Sequence, residues 1–339
     1  MLALTRNQVR ALVSMPDAIA LMKQAFGELS AGRTVSPLRT VIPLPEREAD
    51  ALFMPAYVPA IDALGLKSVN VFRKNPERGL PAIHALVMLV DTETGQPEAI
   101  MDGSYLTALR TGAVSGAAAD FLACNDARTL AVIGAGAQGV TQIAAICAVR
   151  PIERVIAVDI NDAALERLQA GIRQDWPELS RLVEVSHDAA AAVRQADIVC
   201  TATTSRKPVF ADSDLKPGTH VSGVGAYTPQ MQEVPAETVV RATVVVDAID
   251  AALEEGGDLI IPLNQGLVSR DHFSRELGML VNGDAAGRTS PDEITFFKSV
   301  GNAVQDVVVA KRAVERAREN GTGIEIDLTQ EAPGPARFR

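Results

Sequence analysis

The sequence predicts an α/β protein in which a doubly wound parallel sheet is joined to a smaller α+β unit, and three observations carry that prediction. The first is Thr129-Leu-Ala-Val-Ile-Gly134-Ala135-Gly136-Ala137-Gln138-Gly139, an apolar strand that runs into a glycine-rich turn and then a helix. The second is the alternation of strand and helix signatures after it, which a parallel sheet requires. The third is a change of texture before it: residues 52–101 break into extended apolar pieces punctuated by Pro59, Pro76, Gly79 and Gly95.

In the glycine turn, Gly134 permits the tight turn, Gly136 lets the backbone approach a pyrophosphate, and Gly139 lets the helix pack against its strand. A G-x-G-x-x-G match alone is weak. Here it follows an apolar run at 130–133 and opens residues 140–149, which are helix-compatible and apolar on nearly every side. The next apolar run, Arg154-Val-Ile-Ala-Val-Asp159, ends in an acid twenty residues after Gly139, where a carboxylate takes the ribose hydroxyls of an adenosine. Together these outweigh a chance cluster of loop glycines beside a surface aspartate and predict a Rossmann-type dinucleotide site. A nicotinamide is favoured over a flavin because the fingerprint is internal and a sheet-rich module precedes it. Asp159 favours NAD over NADP, since a carboxylate repels a 2′-phosphate and residues 160–162 offer no arginine.

Residues 1–35 begin with a short extended piece, after which Ile19, Met22, Phe26 and Leu29 recur at helical spacing. A proline-bounded extended segment carrying Pro37 and Arg39 ends near Pro45. Strand pieces at 52–58, 66–72, 83–91 and 97–101 read as a largely antiparallel sheet, separate from the nucleotide unit. Asp102-Gly103-Ser104 supply turn and N-cap chemistry for a helix that runs to about residue 122 and bridges the units. Its small residues, Gly112, Ala113, Ser115, Gly116 and Ala117 to Ala119, suit close helix packing. Beyond the glycine turn, 161–174 and 188–195 read as helices and 182–185 as a strand. Ile198-Val-Cys-Thr-Ala-Thr203 is a fourth strand with Thr201, Ala202 and Thr203 near its carboxyl end, where such sheets bind ligands. His220-Val-Ser-Gly-Val-Gly225 and Thr243-Val-Val-Val-Asp247 bring the sheet to six strands. Residues 301–320 read as one amphipathic helix that returns to the first unit, and the proline-containing end beyond 325 as an arm or disordered.

Composition removes several classes of function. With 42 acids against 32 bases in 339 residues, the chain lacks the basic face that phosphate backbones require, so no nucleic acid is expected. No apolar stretch reaches membrane-spanning length and the N-terminus lacks a signal-peptide pattern, which makes a cytoplasmic location the default. Cys124, Cys147 and Cys200 are odd in number, widely spaced and read as buried small hydrophobes, with neither disulfide nor zinc indicated. His84 reads as a packed strand residue; His187, His220 and His272 look ordinary. No cluster has metal-ligand spacing and no serine sits in a G-x-S-x-G elbow.

Four stretches share one further property. Leu106-Thr-Ala-Leu-Arg-Thr111, Val132-Ile-Gly-Ala-Gly-Ala-Gln138, Gly223-Val-Gly-Ala-Tyr-Thr-Pro-Gln-Met-Gln-Glu233 and Phe297-Lys-Ser-Val-Gly-Asn-Ala-Val-Gln-Asp306 resemble, in order and over almost the whole chain, the ornithine cyclodeaminase/mu-crystallin family. The arginine-threonine block joined to Gly-Ala-Gly-Ala-Gln is specific to that family. The resemblance implies a homodimer, a substrate and dimerisation domain at residues 1–118 completed by 305–339, and an NAD-binding Rossmann domain at 119–304. It also implies that Arg39 and Lys67 hold a substrate carboxylate, although from the residues alone they read as a solvated arginine and a snorkelling lysine. Arg110 and Thr111 would meet the cofactor phosphates, with Arg110 also on the substrate carboxylate. Ala137 and Gln138 would lie against the pyrophosphate, Thr201 to Thr203 and Gly223, Val224, Gly225 and Ala226 along the cofactor, and Ser299 near the nicotinamide.

The family includes ornithine and lysine cyclodeaminases, an archaeal type of alanine dehydrogenase, and reductases of cyclic ketimines. Cyclodeaminases carry an acid/base aspartate in a Gly-Asp-x-Pro-Gly-Lys context, and here Tyr227 and Met231 stand at the matching positions. A tyrosine is a poor base at neutral pH, which disfavours ornithine cyclodeamination and weakens the alanine dehydrogenase branch. A preformed cyclic imine asks less, because its nitrogen is already in place. The expected activity is NADH-dependent reduction of 1-pyrroline-2-carboxylate or 1-piperideine-2-carboxylate to the cyclic amino acid, such as L-proline. Lys67 would polarise or protonate the reacting end, and Tyr227 would donate a hydrogen bond there or pack against the ring. An amino-acid dehydrogenase, an ornithine cyclodeaminase and a mu-crystallin-like NAD-bound binding protein stay open as alternatives. Retained Arg39, Lys67 and Arg110 argue against the last.

Overall fold

A strand that is covered on one side needs one buried row of side chains, and residues 49–102 supply such rows in the computed structural model, which describes residues 1–328. The chain opens with β1 (Leu2–Leu4), α1 (Arg6–Leu12) and α2 (Met15–Ser30). Strands β2 (Thr40–Leu44), β3 (Ala49–Val58), β4 (Ala63–Phe72), β5 (Ile83–Val90) and β6 (Pro97–Asp102) follow, and α3 (Gly103–Leu122) crosses to the second unit. There β7 (Thr129–Ile133), α4 (Ala137–Val149), β8 (Arg154–Val158), α5 (Asp162–Asp175), β9 (Val183–Ser186), α6 (Ala189–Gln195), β10 (Ile198–Thr201) and β11 (His220–Gly223) alternate. Next come α7 (Ala236–Arg241), β12 (Thr243–Val246), α8 (Ile249–Glu255), α9 (Gly257–Asn264), α10 (Leu277–Asn282) and β13 (Thr295–Lys298). Finally α11 (Ala303–Glu319) and β14 (Ile324–Glu325) return to the first sheet.

The first sheet runs β14-β1-β6-β5-β4-β3-β2 and is antiparallel except where β1 lies parallel to β6. Met54, Lys67, Val87 and Met101 fall opposite one another across β3, β4, β5 and β6 and form a buried row. Helix α11 packs against this sheet, and its valines and alanines share one core with α2 and α3. On the other face Leu66, Met88 and Leu86 remain partly or largely exposed, an apolar sheet surface that the described residues do not cover.

Asp102 caps α3 by accepting the Tyr105 N–H at 2.8 Å, and the small residues of α3 bring its backbone against Thr141 and Ala145 of α4, as their spacing suggests. The second sheet is fully parallel, in the order β12-β13-β11-β10-β7-β8-β9, with an apolar core on each face. It has seven strands rather than the six expected. The addition is β13, which slots between β11 and β12; only four residues long and buried on both faces, it shows no alternation.

Other local expectations are corrected. Residues 1–35 hold two helices, because α1 is too short to show a period. His84 is exposed, since the first residues of β5 project beyond the covered part of the sheet. Cys124 and Cys147 are only half-buried, while Cys200 is fully buried. His272 stands in a single 3₁₀ turn (Arg270–Phe273) rather than a longer helix. The expectation for the chain beyond Glu325 falls mostly on 329–339, outside the described residues, although Ile324–Glu325 themselves pair with β1. Among the described residues no helix is long and apolar enough to cross a membrane, and no His/Cys/Asp/Glu group could hold a metal.

Candidate functional site

β7 delivers Gly134 at φ +107°, the region glycine favours, and a β-carbon there would stand 2.5 Å from the Ala202 carbonyl oxygen. Gly136 caps α4 without a side-chain hydrogen bond, and nothing lies within 4 Å of where its β-carbon would be. Gly136 thus leaves the start of α4 open to close approach, while the Gly139 N–H turns back to the Gly136 carbonyl at 3.1 Å. At Gly139 a β-carbon would stand 2.5 Å from the Gly134 oxygen, so the helix seats on the turn only without one. Asp159, just past β8, accepts Ala135 N–H on Oδ2 (2.7 Å) and Asn161 N–H on Oδ1 (2.9 Å), tying the turn to the neighbouring strand. Gly134, Gly136, Asp159, Ala202 and Thr203 line one cavity of about 520 Å³. A carboxylate and the glycine turn that opens a helix share this cavity, an arrangement that fits a dinucleotide.

A second, smaller cavity of about 140 Å³ opens where the first sheet meets the carboxyl ends of β11 and β13. Arg39, Lys67, Arg110, Thr111, Gln138, Val224, Tyr227 and Ser299 all line it, so residues from 39 to 299 meet around one space. Its remaining wall is largely apolar, with Leu52, Met54, Val69, Val71 and Ile83. Lys67 Nζ lies 2.8 Å from Asp306 Oδ2, and Arg110 Nε donates to Asp306 Oδ1 at 3.1 Å. Arg39 reaches Glu255 Oε2 at 2.7 Å and donates to the carbonyls of Val300 (2.8 Å) and Gly301 (3.0 Å), all through Nη2. Neither cation is the surface residue that its local sequence suggests. Burial, reinforced by the charge of Arg110 and opposed by Asp306, draws the Lys67 ammonium down to about 7.

The other expected residues lie around these spaces in different ways. Ala137 lines an adjoining cavity of about 450 Å³, which shares Ile83, Thr107 and Gln138 with the smaller one. Thr201 and Gly223 are buried in the ends of β10 and β11 and line neither the 520 Å³ cavity nor the 140 Å³ one. Gly225 and Ala226 are also outside those linings, and their N–H groups donate to Glu233 Oε2 at 2.7 and 2.9 Å. Glu233 Oε1 accepts Thr203 N–H at 2.5 Å, so one buried carboxylate gathers the loops after β10 and β11. Burial and the nearby Asp258 carboxylate push Glu233 up, against the pull of Lys298, which pairs with Asp258 at 2.8 Å. Ser299 Oγ donates to Asp247 Oδ2, which also accepts Val300 and Gly301 N–H, at 2.7, 2.9 and 2.8 Å. His220 Nδ1 is 2.9 Å from Thr295 Oγ1, and burial, helped by Arg288, holds the ring neutral down to about pH 3.

Five acids at the site, Glu233, Asp247, Glu255, Asp258 and Asp306, escape a reading by local pattern. Each serves at least one group that lies 25 or more residues away in sequence, from Thr203 for Glu233 to Arg39 for Glu255. A signal exists for two of them, since Glu233 and Asp306 close the third and fourth stretches singled out above.

Residues 1–321 match the ornithine cyclodeaminase/mu-crystallin family. The Bacillus cereus protein named Delta(1)-pyrroline-2-carboxylate reductase is 41% identical over 329 residues, covering 97% of this chain and 100% of its own. Among solved structures, Thermococcus litoralis Delta(1)-pyrroline-2-carboxylate reductase in complex with NADH and L-proline is similar with a TM-score of 0.92. It is 38% identical and covers 96% of this chain and 100% of that one. An archaeal alanine dehydrogenase dimer with bound NAD has a TM-score of 0.88 at 34% identity, over 97% and 99% of the two chains.

Proposed function

The chain belongs to the ornithine cyclodeaminase/mu-crystallin family, and from that premise we propose that it reduces a cyclic ketimine 2-carboxylate with NADH. The substrate is 1-pyrroline-2-carboxylate or 1-piperideine-2-carboxylate, and the product a cyclic amino acid such as L-proline. The observation that carries this reading is the small cavity: cations at one end, apolar walls for a hydrocarbon ring, and Tyr227 where a cyclodeaminase has its aspartate. The named activity of the 41% identical relative and the NADH and L-proline bound to the structural neighbour support it.

In this reaction Lys67 and Arg110 hold the substrate carboxylate. Arg39 joins them through its remaining N–H edge, since its own contacts among the described residues fall on Nη2. Held so, C2 of the ring faces the carboxyl ends of β11 and β13. Bound NADH supplies the hydride that reduces C2. As the C–H bond forms, the C=N π pair moves to nitrogen, which keeps the proton of an iminium or takes one from Lys67. An ammonium near 7 can give a proton at neutral pH. Tyr227 packs against the ring.

The same reading takes Asp159 as the residue that prefers NADH over NADPH. It divides the chain into a substrate and dimerisation domain, 1–118 with 305–339, and an NAD-binding domain, 119–304, the dividing line falling inside α3. The uncovered apolar face of the first sheet supports a homodimer, as does the dimer of the alanine dehydrogenase neighbour. A cytoplasmic role in proline metabolism completes the proposal.

The test is NADH oxidation by the purified protein with each cyclic imine, beside pyruvate plus ammonia and ornithine plus NAD. Turnover of a cyclic imine without ammonia is expected. Reaction only with pyruvate and ammonia would make it an amino-acid dehydrogenase, and proline formed from ornithine would overturn the role given to Tyr227.

A further inference from the structure

One carboxylate serves two cations of the reaction cavity. Asp306 stands in the first turn of α11 and is wholly buried. It meets Lys67 of β4 on Oδ2 at 2.8 Å and Arg110 of α3 on Oδ1 at 3.1 Å, so three elements distant in sequence join on one charge. Its neighbour Gln305 accepts Arg110 Nη1 at 2.9 Å, which fixes the plane of the guanidinium.

The surroundings of Lys67 offer no other anion in ion-pair contact among the described residues. Arg110 and, farther off, Arg39 are cations, and Arg39 is already matched by Glu255. Tyr227 shares the cavity, and Met54 and Val87, opposite Lys67 on β3 and β5, carry no charge. Two buried cations thus share one anion, and a charge left without a partner in such a place is costly.

We propose that Asp306 is the positioning residue of the reduction: it fixes Lys67 and Arg110 on one carboxylate and keeps Lys67 an ammonium. The cavity then carries one spare positive charge, which the substrate carboxylate fills. The choice of substrate rests on the reduction proposed above; the arrangement of the three side chains does not. Burial and Arg110 already draw Lys67 down to about 7 against the pull of Asp306. Without Asp306 nothing opposes them, and Lys67 becomes a neutral amine that neither holds a carboxylate nor gives a proton.

The experiment uses the full chain labelled with ¹³C at the lysine Cε, the Lys67 resonance being the one that Lys67→Arg removes. Its titration gives the Lys67 midpoint with no substrate or cofactor present. In Asp306→Asn the midpoint is expected to fall by about one pH unit or more, and kcat/KM for the cyclic imine to fall about tenfold at neutral pH and recover as the pH is lowered. A residue that only supports the fold would cost activity equally at every pH and leave the midpoint in place. An unchanged midpoint in folded Asp306→Asn overturns the proposal. Should that variant not fold, the native protein decides: saturating pyrrole-2-carboxylate is expected to raise the Lys67 midpoint by about one unit. Saturation without a shift, or no binding, overturns the spare charge. If no cyclic imine is turned over while the Asp306→Asn midpoint still falls, the reduction fails and the positioning role stands.

Discussion

Gly301 and Arg110 pack so closely that a β-carbon on the glycine would stand 2.8 Å from the arginine Nη1. The same glycine sits at φ +85°, donates its N–H to Asp247 and accepts Arg39 on its carbonyl. A residue without a side chain therefore sets the spacing of two arginines that line the cavity. Gly301→Ala should cost about 1 kcal/mol or more of stability through its backbone alone. By displacing Arg110 it should lower kcat/KM for the cyclic imine about a hundredfold. Urea unfolding and steady-state kinetics on the one variant separate the two losses, and unimpaired kinetics would contradict the packing argument.

Lys67→Met should lower turnover by about a thousandfold while NADH fluorescence titration stays native, since Lys67 lines the 140 Å³ cavity and not the cleft of the glycine turn. It should also change the response of stability to pH. The native lysine sheds its proton near 7, whereas an unfolded chain keeps it to about 10.4. Between those values the unfolded state binds more protons, so native stability should rise with pH across that window. In Lys67→Met this rise should vanish, as urea midpoints at a series of pH values would reveal.

Asp159 accepts two backbone N–H groups and lines the cleft of the glycine turn, where the proposed function sets the adenosine. Asp159→Ser should raise the relative use of NADPH by about tenfold or more and weaken NADH as well, since the glycine turn loses its tie. The ratio of kcat/KM for the two cofactors measures the first effect. If NADPH gains nothing, charge repulsion by Asp159 is not what selects the cofactor.

Tyr227 shares the 140 Å³ cavity with Leu52, Val69 and Val71, so in the proposed reaction its ring counts as wall. Tyr227→Phe should keep kcat within about threefold of native, as loss of a single uncharged hydrogen bond at a wetted edge would allow. Tyr227→Ala should raise the KM for the cyclic imine. A large fall in kcat for Tyr227→Phe would instead make the hydroxyl a donor in the reaction.

What the sequence revealed follows the range over which each residue acts. Gly134 and Gly139 announce their places because a tight turn and a helix seat are settled within six residues. Asp102 and the small residues of α3 are legible for the same reason. Strand β13 was missed because a four-residue strand buried on both faces has no period to read. His84 was misread because whether a strand end is covered depends on what packs over it. Arg39 and Lys67 look like surface cations until Glu255 and Asp306, more than two hundred residues away, are brought beside them. Only the family resemblance pointed to the two cations, and their carboxylate partners needed the structure.

Helix α11 makes one late segment of the chain answer for two things, the core under the first sheet and the charge beside Lys67 and Arg110. The cleft beside the glycine turn is built from residues between Ile133 and Val209, and the first six strands precede it. The first sheet, by contrast, takes part of its core from α11. Lys67 and Arg110 likewise meet their shared carboxylate only where α11 has packed. A chain cut short before Ala303 would keep the residues that line the cleft beside the glycine turn, and lose both the helix that completes the first core and the carboxylate that pairs with Lys67.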